Sequence, residues 1–165
     1  MSTSLIPPTI NIAAHDALTR IGACKEAKNW LDAEERPTAQ AAWDACERGD
    51  WMLWILGRLS WHDGDPFGKP EHRNLVGCLV EVVISLAQPF WSDRARLACA
   101  NCMEGLERYA RGEEVSRAEI WRARAAAYAD AAYAAAAADR KESLKAAAEI
   151  VRSHYPNPPV KELGL

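Results

Sequence analysis

The sequence of 165 residues lacks several features that would point to a particular function. It has no apolar run of the roughly 18 residues that a membrane-spanning helix needs. Its first residues have neither the charged start nor the apolar stretch of a secretion signal. With 49% hydrophobic and 26% charged residues, the composition is that of an ordinary soluble protein, and we expect a cytoplasmic location.

An excess of positive charge is also missing. Residues 1–92 carry 8 Lys and Arg against 12 Asp and Glu, and residues 93–165 carry 12 against 11. The net charge is −3. Because phosphate backbones are bound by strongly basic surfaces, direct nucleic-acid binding is not expected.

Sequence signatures of catalysis are absent as well. Gly64 and Gly68 belong to no phosphate-binding loop, because no Lys-Ser or Lys-Thr signature accompanies them. No G-x-S-x-G nucleophile elbow occurs. Cys99 and Cys102 form a lone C-x-x-C inside a predicted helix, and zinc would need two further ligands at suitable spacing. We therefore expect no enzyme, no cofactor and no metal. Five reduced cysteines are predicted to be small buried side chains: Cys24, Cys46, Cys78, Cys99 and Cys102.

The sequence is rich in residues that favour helices. Residues 117–151 contain no Gly or Pro and are dominated by Ala, which costs a helix least. Ser116 and Glu119 form a capping box, so a helix should begin at Arg117. One unbroken rod from there to the end of the tract would be too long for a compact domain of this size. We predict a break near 138–141, which gives an alanine-rich C-terminal helical hairpin with close contacts between its helices.

Apolar residues at helical spacing predict further helices before this tract. The apolar segment 74–88 contains valines that favour a strand. However, Glu81, Ser85 and Gln88 fall on a single polar stripe, so we predict a central helix there. The other predicted elements are a helix over about 12–34, a second helix that has Pro37 in its first turn and that Gly49 ends, a Trp-rich helix over 50–59 capped by Asp50, and a helix over 93–110 that Gly112 ends.

Together these elements predict an all-α fold. We expect one single domain over 1–165, a bundle of about six or seven antiparallel helices with the Trp-rich and apolar helices at its centre. Pro, Gly and polar residues mark the remaining parts of the chain. They are an extended arm over 1–10, a loop insertion over 60–73 and an extended tail over 156–165.

Tryptophan is unusually frequent in this chain, with seven residues. We interpret Trp43, Trp51 and Trp54 as core residues. Trp is nevertheless seldom buried completely, and it dominates the hot spots of protein interfaces. Acidic residues lie close to these rings in the sequence, and an acidic surface with aromatic rings suits a basic protein partner or the blocking of a nucleic-acid-binding surface by mimicry. The predicted partner-binding residues are Asp44, Glu47, Asp50, Trp61, His62, Asp63 and Asp65.

His62, Asp63, Asp65 and His72 are the densest set of potential metal ligands in the sequence. Helical metal-dependent phosphohydrolases also use a His-Asp pair, but they place it on a helix and add ligands from other helices. Here the pair lies in a segment rich in Gly and Pro, where polar residues are expected in any case. A metal-dependent hydrolase built on residues 62–72 is one alternative function, and a structural or assembly subunit is another.

Several segments, in this order, resemble an alanine-rich helical family of bacterial and phage proteins. They are GACKEAKNWL at 22–31, AWDACERGDWMLWILGRL at 42–59, RARLACANCMEGLERYARGEEVS at 94–116, an Ala/Tyr/Asp-rich tract at 123–139 and AAEIVRSHYPNPP at 147–159. Members of that family are described as immunity proteins of polymorphic toxin systems. The resemblance implies a protein that neutralises a toxin or a host defence effector by stoichiometric binding, and it supplies no catalytic residue. Residues 60–73 and the shorter alanine tract depart from the family pattern.

Overall fold

A computed structural model of the chain describes residues 9–33, 38–61, 64–90, 93–119 and 140–164. These residues are mostly helical and contain no strand, so the prediction of an all-α fold is confirmed. Their α-helices are α1 (Thr9–Arg20), α2 (Lys25–Ala33), α3 (Ala39–Ala45), α4 (Gly49–Ser60), α5 (Pro70–Val82), α6 (Asp93–Ala110), α7 (Arg140–His154) and α8 (Val160–Leu163). A π-helical turn over Val83–Ala87 and a 3-10 turn over Gln88–Phe90 follow α5. None of the helices in these ranges is long and apolar enough to cross a membrane.

The chain divides into two compact units. The first is Met1–Cys46 with Tyr155–Leu165, and the second is Glu47–His154. The first unit contains α1, α2, α3 and α8, and the second contains α4 to α7. The single domain over 1–165 stays a prediction.

In the first unit the prediction of one helix over 12–34 is wrong, because the chain turns between α1 and α2. Gly22 has a φ of +81°. The N–H groups of Gly22 and Ala23 donate to the carbonyl oxygens of Thr19 and Leu18, at 3.1 and 2.8 Å. These two bonds form a Schellman helix end, in which glycine supplies the left-handed residue. Apolar residues keep their helical spacing across the turn, so periodicity alone does not reveal it.

Side chains of α1 and α3 hold the C-terminal segment of the first unit. The indole Nε1 of Trp43 donates to the carbonyl oxygen of Tyr155 at 2.8 Å, and Arg20 donates to that of Leu163 at 2.6 Å. The prediction of an extended tail over 156–165 is therefore wrong in part, because this segment contains α8. Residues 160–163 contain no Gly or Pro, so they can form a helical turn. This turn ends at Gly164, which has a left-handed φ of +68°.

Helix boundaries around α3 and α4 also differ from the prediction. α3 begins at Ala39 with Thr38 as its N-cap, so Pro37 precedes its first turn. α3 ends at Ala45, and Gly49 opens α4 instead of ending the helix before it. Asp50 lies inside the first turn of α4 and is not its N-cap. Its carboxylate instead accepts hydrogen bonds from Arg48, at 2.9 and 2.8 Å. The physical reason is a packing contact: Gly49 is buried against another helix, which a sequence pattern does not show.

The predicted loop over 60–73 is shorter than expected. Ser60 belongs to α4, and Pro70 is the first residue of α5, a position that suits proline because its missing N–H would have no helical partner there. At the start of the chain, Thr9 and Ile10 belong to α1, so the predicted extended arm can at most cover residues 1–8, which lie outside the described ranges.

Other local signals are confirmed. Gly112, with a φ of +91°, ends α6 as predicted. Glu119 donates its N–H to Ser116 Oγ at 3.2 Å, and Ser116 donates its N–H to Glu119 Oε2 at 3.0 Å, which completes the capping box. Residues 117–119 are helical. The rest of the alanine tract up to residue 139 falls outside the described ranges, so the predicted break and hairpin stay predictions.

α5 occupies the centre of the second unit, where it contacts α4, α6 and α7. The apolar segment is thus a helix, as predicted, and a π-helical turn continues it. α5 and α6, together with the residues that follow α6, form the main apolar cluster of this unit. Its buried members are Val76, Val80, Cys99, Met103, Tyr109 and Val115. The two cysteines of the C-x-x-C pair are buried, as predicted.

α4 packs closely on α7 at a contact of small residues. A Cβ atom added to Gly49 would lie 2.5 Å from the Cβ of Ala147 and 2.6 Å from the backbone nitrogen of Ala148. Ala148 and Val151 of α7 are fully buried. The close helix approach that alanine permits is therefore found between α7 and α4.

Candidate functional site

α4 has one buried face and one exposed face. The residues of the buried face are Gly49, Met52 and Leu56. On the other side, Trp54 is 38% exposed and Trp61 is 58% exposed. Positions seven apart lie on the same side of a helix, about 10 Å apart along its axis. We call Trp54, Gly57, Arg58 and Trp61 the tryptophan face of α4.

The structure corrects one of the predicted core tryptophans. Trp43 is buried, and Trp51 is half-buried with the Arg48 guanidinium 4.1 Å from its ring centre. Trp54 is exposed, because α4 is apolar on nearly all sides but only the side of Met52 and Leu56 is buried. Trp54 was missed as a site residue, although its spacing from Asp50 and Trp61 would have placed all three on one side of the helix.

Gly57 lies between the two exposed rings along the tryptophan face. A Cβ atom added at this position would find no atom within 4 Å beyond the backbone of its own helix. Glycine in a helix interior costs about 1 kcal/mol relative to alanine. Packing within the described residues gives no reason for this cost. Because the side chain is missing, another molecule could approach the helix backbone closely between the two tryptophan rings.

Two of the predicted acidic residues near the start of α4 are ion-paired within the chain. Asp50 pairs with Arg48, and Glu47 Oε1 lies 3.2 Å from the Lys145 ammonium of α7. Burial alone would raise the pKa of Asp50, but the hydrogen bond and the charge of Arg48 outweigh it and lower this pKa below its ordinary value. Both carboxylates therefore help to hold α4 and the residues before it in place.

The remaining predicted residues are distributed over different parts of the chain. Asp44 is exposed on α3 in the first unit, where its carboxylate accepts a hydrogen bond of 2.9 Å from the neutral amide of Gln40. His62 and Asp63 lie outside the described residues. Asp50 and Trp61 share one side of α4 but lie about 16 Å apart along its axis, so the structure aligns these two predicted residues without bringing them into contact.

The loop between α4 and α5 is anchored on Tyr109 of α6, which is only 2% exposed. Gly68 donates its backbone N–H to the Tyr109 hydroxyl at 2.7 Å. His72 Nδ1 lies 2.8 Å from the same oxygen. The Phe67 ring packs on the Tyr109 ring with 4.9 Å between their centres. One buried hydroxyl thus connects the loop with the first turn of α5.

Asp65 has a structural role in this loop. It accepts the backbone N–H of Phe67 at 3.1 Å and the guanidinium N–H of Arg117. The Arg117 guanidinium also lies over the Phe67 ring, 4.9 Å from its centre. The hydrogen bond from Arg117 lowers the pKa of Asp65 below its ordinary value. Sequence reasoning missed Arg117, Phe67 and Tyr109 because their partners are distant in the sequence.

These contacts involve two of the four residues that the sequence offers as metal ligands, Asp65 and His72. Asp65 is engaged by Arg117, and Nδ1 of His72 is engaged by the Tyr109 hydroxyl. Among the residues that the structure describes, no three His, Cys, Asp or Glu side chains come together in the way that metal binding needs. The donors available there therefore favour a structural role for Asp65 and His72.

Burial makes Cys78 and Cys102 poorly reactive thiols. Burial raises the pKa of Cys102, and burial raises the pKa of Cys78 to about 11. A thiol whose pKa is raised is mostly protonated near neutral pH, and the thiolate is the reactive form. Cys24 lies in the turn between α1 and α2 and is exposed, so the prediction that all five are buried is wrong for this one.

No family model matches the chain, and neither does any curated protein or any solved structure. The resemblance to the alanine-rich immunity family therefore gains no support from these comparisons, and the function that it implies is a proposal. The tryptophan face of α4 and the loop anchored on Tyr109 are the features from which a function can be inferred.

Proposed function

We propose that the protein is a non-enzymatic inhibitor that binds another protein stoichiometrically through the tryptophan face of α4. The observation that carries this proposal is the pair of exposed rings, Trp54 and Trp61, on one side of a helix whose other side is packed in the unit. Tryptophan is the residue type most enriched among interface hot spots. Large apolar rings that lose water on binding provide affinity without any reaction.

The packing of α4 supports this role. Gly49 sits against Ala147 and Ala148 so closely that α4 has no room to move toward α7. Arg48 and Lys145 hold the carboxylates at the start of the helix. A surface that is already ordered loses little conformational entropy when it binds a partner. The tryptophan face is therefore suited to bind a partner without becoming ordered first.

The charge of the molecule favours a basic partner. The net charge is −3, and Asp50 lies one turn before Trp54 on the same side of α4. Charges at the rim of an interface mainly accelerate association and select against wrong partners. Together with the resemblance to immunity proteins, this supports a toxin or a host defence effector as the partner, bound in the cytoplasm.

Capture followed by titration tests the proposal. The tagged full chain is used to capture partners from cells that express it natively, and the partner is then purified and titrated. We expect a one-to-one complex whose partner loses activity in proportion to the inhibitor added. Replacing Trp54 and Trp61 together by Ala should weaken binding roughly 30-fold or more, because each ring is expected to act as a hot spot.

Leu97→Ala is the matched control, since Leu97 is a large apolar residue on α6 that is 80% exposed. This variant should bind as the wild type does. Circular dichroism and thermal unfolding establish that all variants are folded. If a folded Trp54→Ala, Trp61→Ala variant binds and inhibits as well as the wild type, or if the native cells contain no protein that forms the complex, the proposal is wrong.

A further inference from the structure

The Tyr109 hydroxyl can form only a few hydrogen bonds, and its buried position decides which groups can be its partners. A phenol has one proton to donate and two lone pairs to accept with. Gly68 N–H occupies one lone pair. Among the described residues, the only other hydrogen-bond partner of this hydroxyl is His72 Nδ1, at 2.8 Å. The ring is buried, so the hydroxyl proton must go to His72 or remain without a partner.

Every hydrogen-bonding group at this contact is satisfied only when His72 is neutral. When the imidazole carries its single proton on Nε2, Nδ1 accepts the hydroxyl proton and every group at the contact is satisfied. When the imidazole is protonated, Nδ1 also becomes a donor and the hydroxyl proton loses its acceptor. A buried polar group without a partner is costly, so the contact is weakened by protonation.

The charges around His72 come from three parts of the chain. Asp65 in the loop favours the imidazolium, and Arg117 after α6 disfavours it. Arg73 of α5 lies with its guanidinium carbon 5.5 Å from the centre of the Tyr109 ring, on which His72 also packs. Burial is the largest influence on His72, and together these causes lower its pKa below the ordinary value.

We propose that His72 and Tyr109 form an acid-sensitive latch for the loop 64–69. In the closed latch, neutral His72 accepts the hydroxyl proton, and the hydroxyl holds Gly68 while Phe67 packs on the ring. Protonation of His72 opens the latch and releases the loop. The proposal does not depend on the inhibitor function.

The pH dependence has a definite sign. A histidine whose pKa is lowered in the closed state binds its proton more readily in the open state. Closure is therefore favoured above the ordinary histidine pKa, and this contribution is lost as the pH falls through the lowered value. Opening should occur on mild acidification, not at alkaline pH.

Amide hydrogen exchange of Gly68, followed by NMR on the full chain, tests the latch. After correction for intrinsic exchange, the protection of this amide should fall on the order of tenfold between about pH 7.5 and about pH 5. His72→Asn retains an acceptor near the position of Nδ1 but does not titrate, so Gly68 should stay protected at both pH values. Tyr109→Phe retains the ring without the hydroxyl, so protection should be low at both.

His15→Gln is the control variant, because His15 also lies near a carboxylate, 3.7 Å from Asp32, but belongs to the first unit. Its Gly68 amide should titrate as in the wild type. If Tyr109→Phe does not fold, the wild type still decides the question. The imidazole of His72 and the amide of Gly68 must titrate with one common midpoint. Protection of Gly68 that is unchanged by pH, or that follows the midpoint of another histidine, would overturn the latch.

Discussion

Two glycines of α4 show how the same residue type serves opposite purposes eight positions apart. Gly49 is buried where a Cβ atom would lie 2.5 Å from the Cβ of Ala147 and 2.7 Å from its carbonyl carbon. Gly57 faces open space. Gly49→Ala should therefore destabilise the protein by about 1–3 kcal/mol, because backbone atoms cannot move aside as a flexible side chain can. Urea unfolding monitored by tryptophan fluorescence measures this loss.

Gly57→Ala is the matched comparison on the same helix. Alanine is the better helix former, and nothing obstructs it here, so the free energy of unfolding should rise by about 0.5–1 kcal/mol. If Gly49→Ala stabilised the protein as Gly57→Ala is expected to, the close packing of α4 on α7 would be refuted. A more stable Gly57→Ala variant that binds its partner less well would show that this glycine is kept for recognition.

At the scale of elements, the sequence predicted most helices wherever a local signal marks their ends. Gly112 and the pair Ser116 and Glu119 carry such signals, since the bonds that end or cap these helices join residues only a few positions apart. The break at Gly22 was missed because the apolar spacing continues across it. The boundary at Gly49 was misplaced because a tertiary contact, not the local sequence, explains why this glycine is needed there.

The turn at Gly22 gives a prediction at this scale. A Cβ atom would meet nothing within 4 Å, so any cost of a substitution comes from the φ of +81° alone. Gly22→Ala should lower the free energy of unfolding by about 1–2 kcal/mol, since L-residues are strained in the left-handed region. Gly22→Asn should lose distinctly less, because asparagine tolerates this conformation. Equal losses in the two variants, measured by thermal unfolding, would contradict a purely conformational cost.

At the scale of the whole molecule, the all-α class could be predicted from composition and periodicity, but the anchor on Tyr109 could not. Gly68 and Tyr109 are 41 positions apart, and Asp65 and Arg117 are 52 apart. Such contacts depend on which faces of α5 and α6 meet, and periodicity shows that a helix has an inner face without showing its neighbour. The exposure of Trp54 escaped prediction for the same reason.

The reactivity of the five cysteine thiols can be used to measure unfolding in both units. Cys24 is exposed in the turn between α1 and α2, whereas the other four are buried: Cys46, Cys78, Cys99 and Cys102. A buried thiol reacts only when the structure around it opens, and the raised pKa of Cys78, about 11, slows the reaction of that thiol further.

With a disulfide reagent in excess at mildly alkaline pH, one thiol should therefore react at once and four only as the protein unfolds. Cys24→Ser should remove the fast phase and leave the slow phases unchanged. Two or more fast thiols in the folded protein would mean that α3, α5 or α6 opens far more readily than its burial allows.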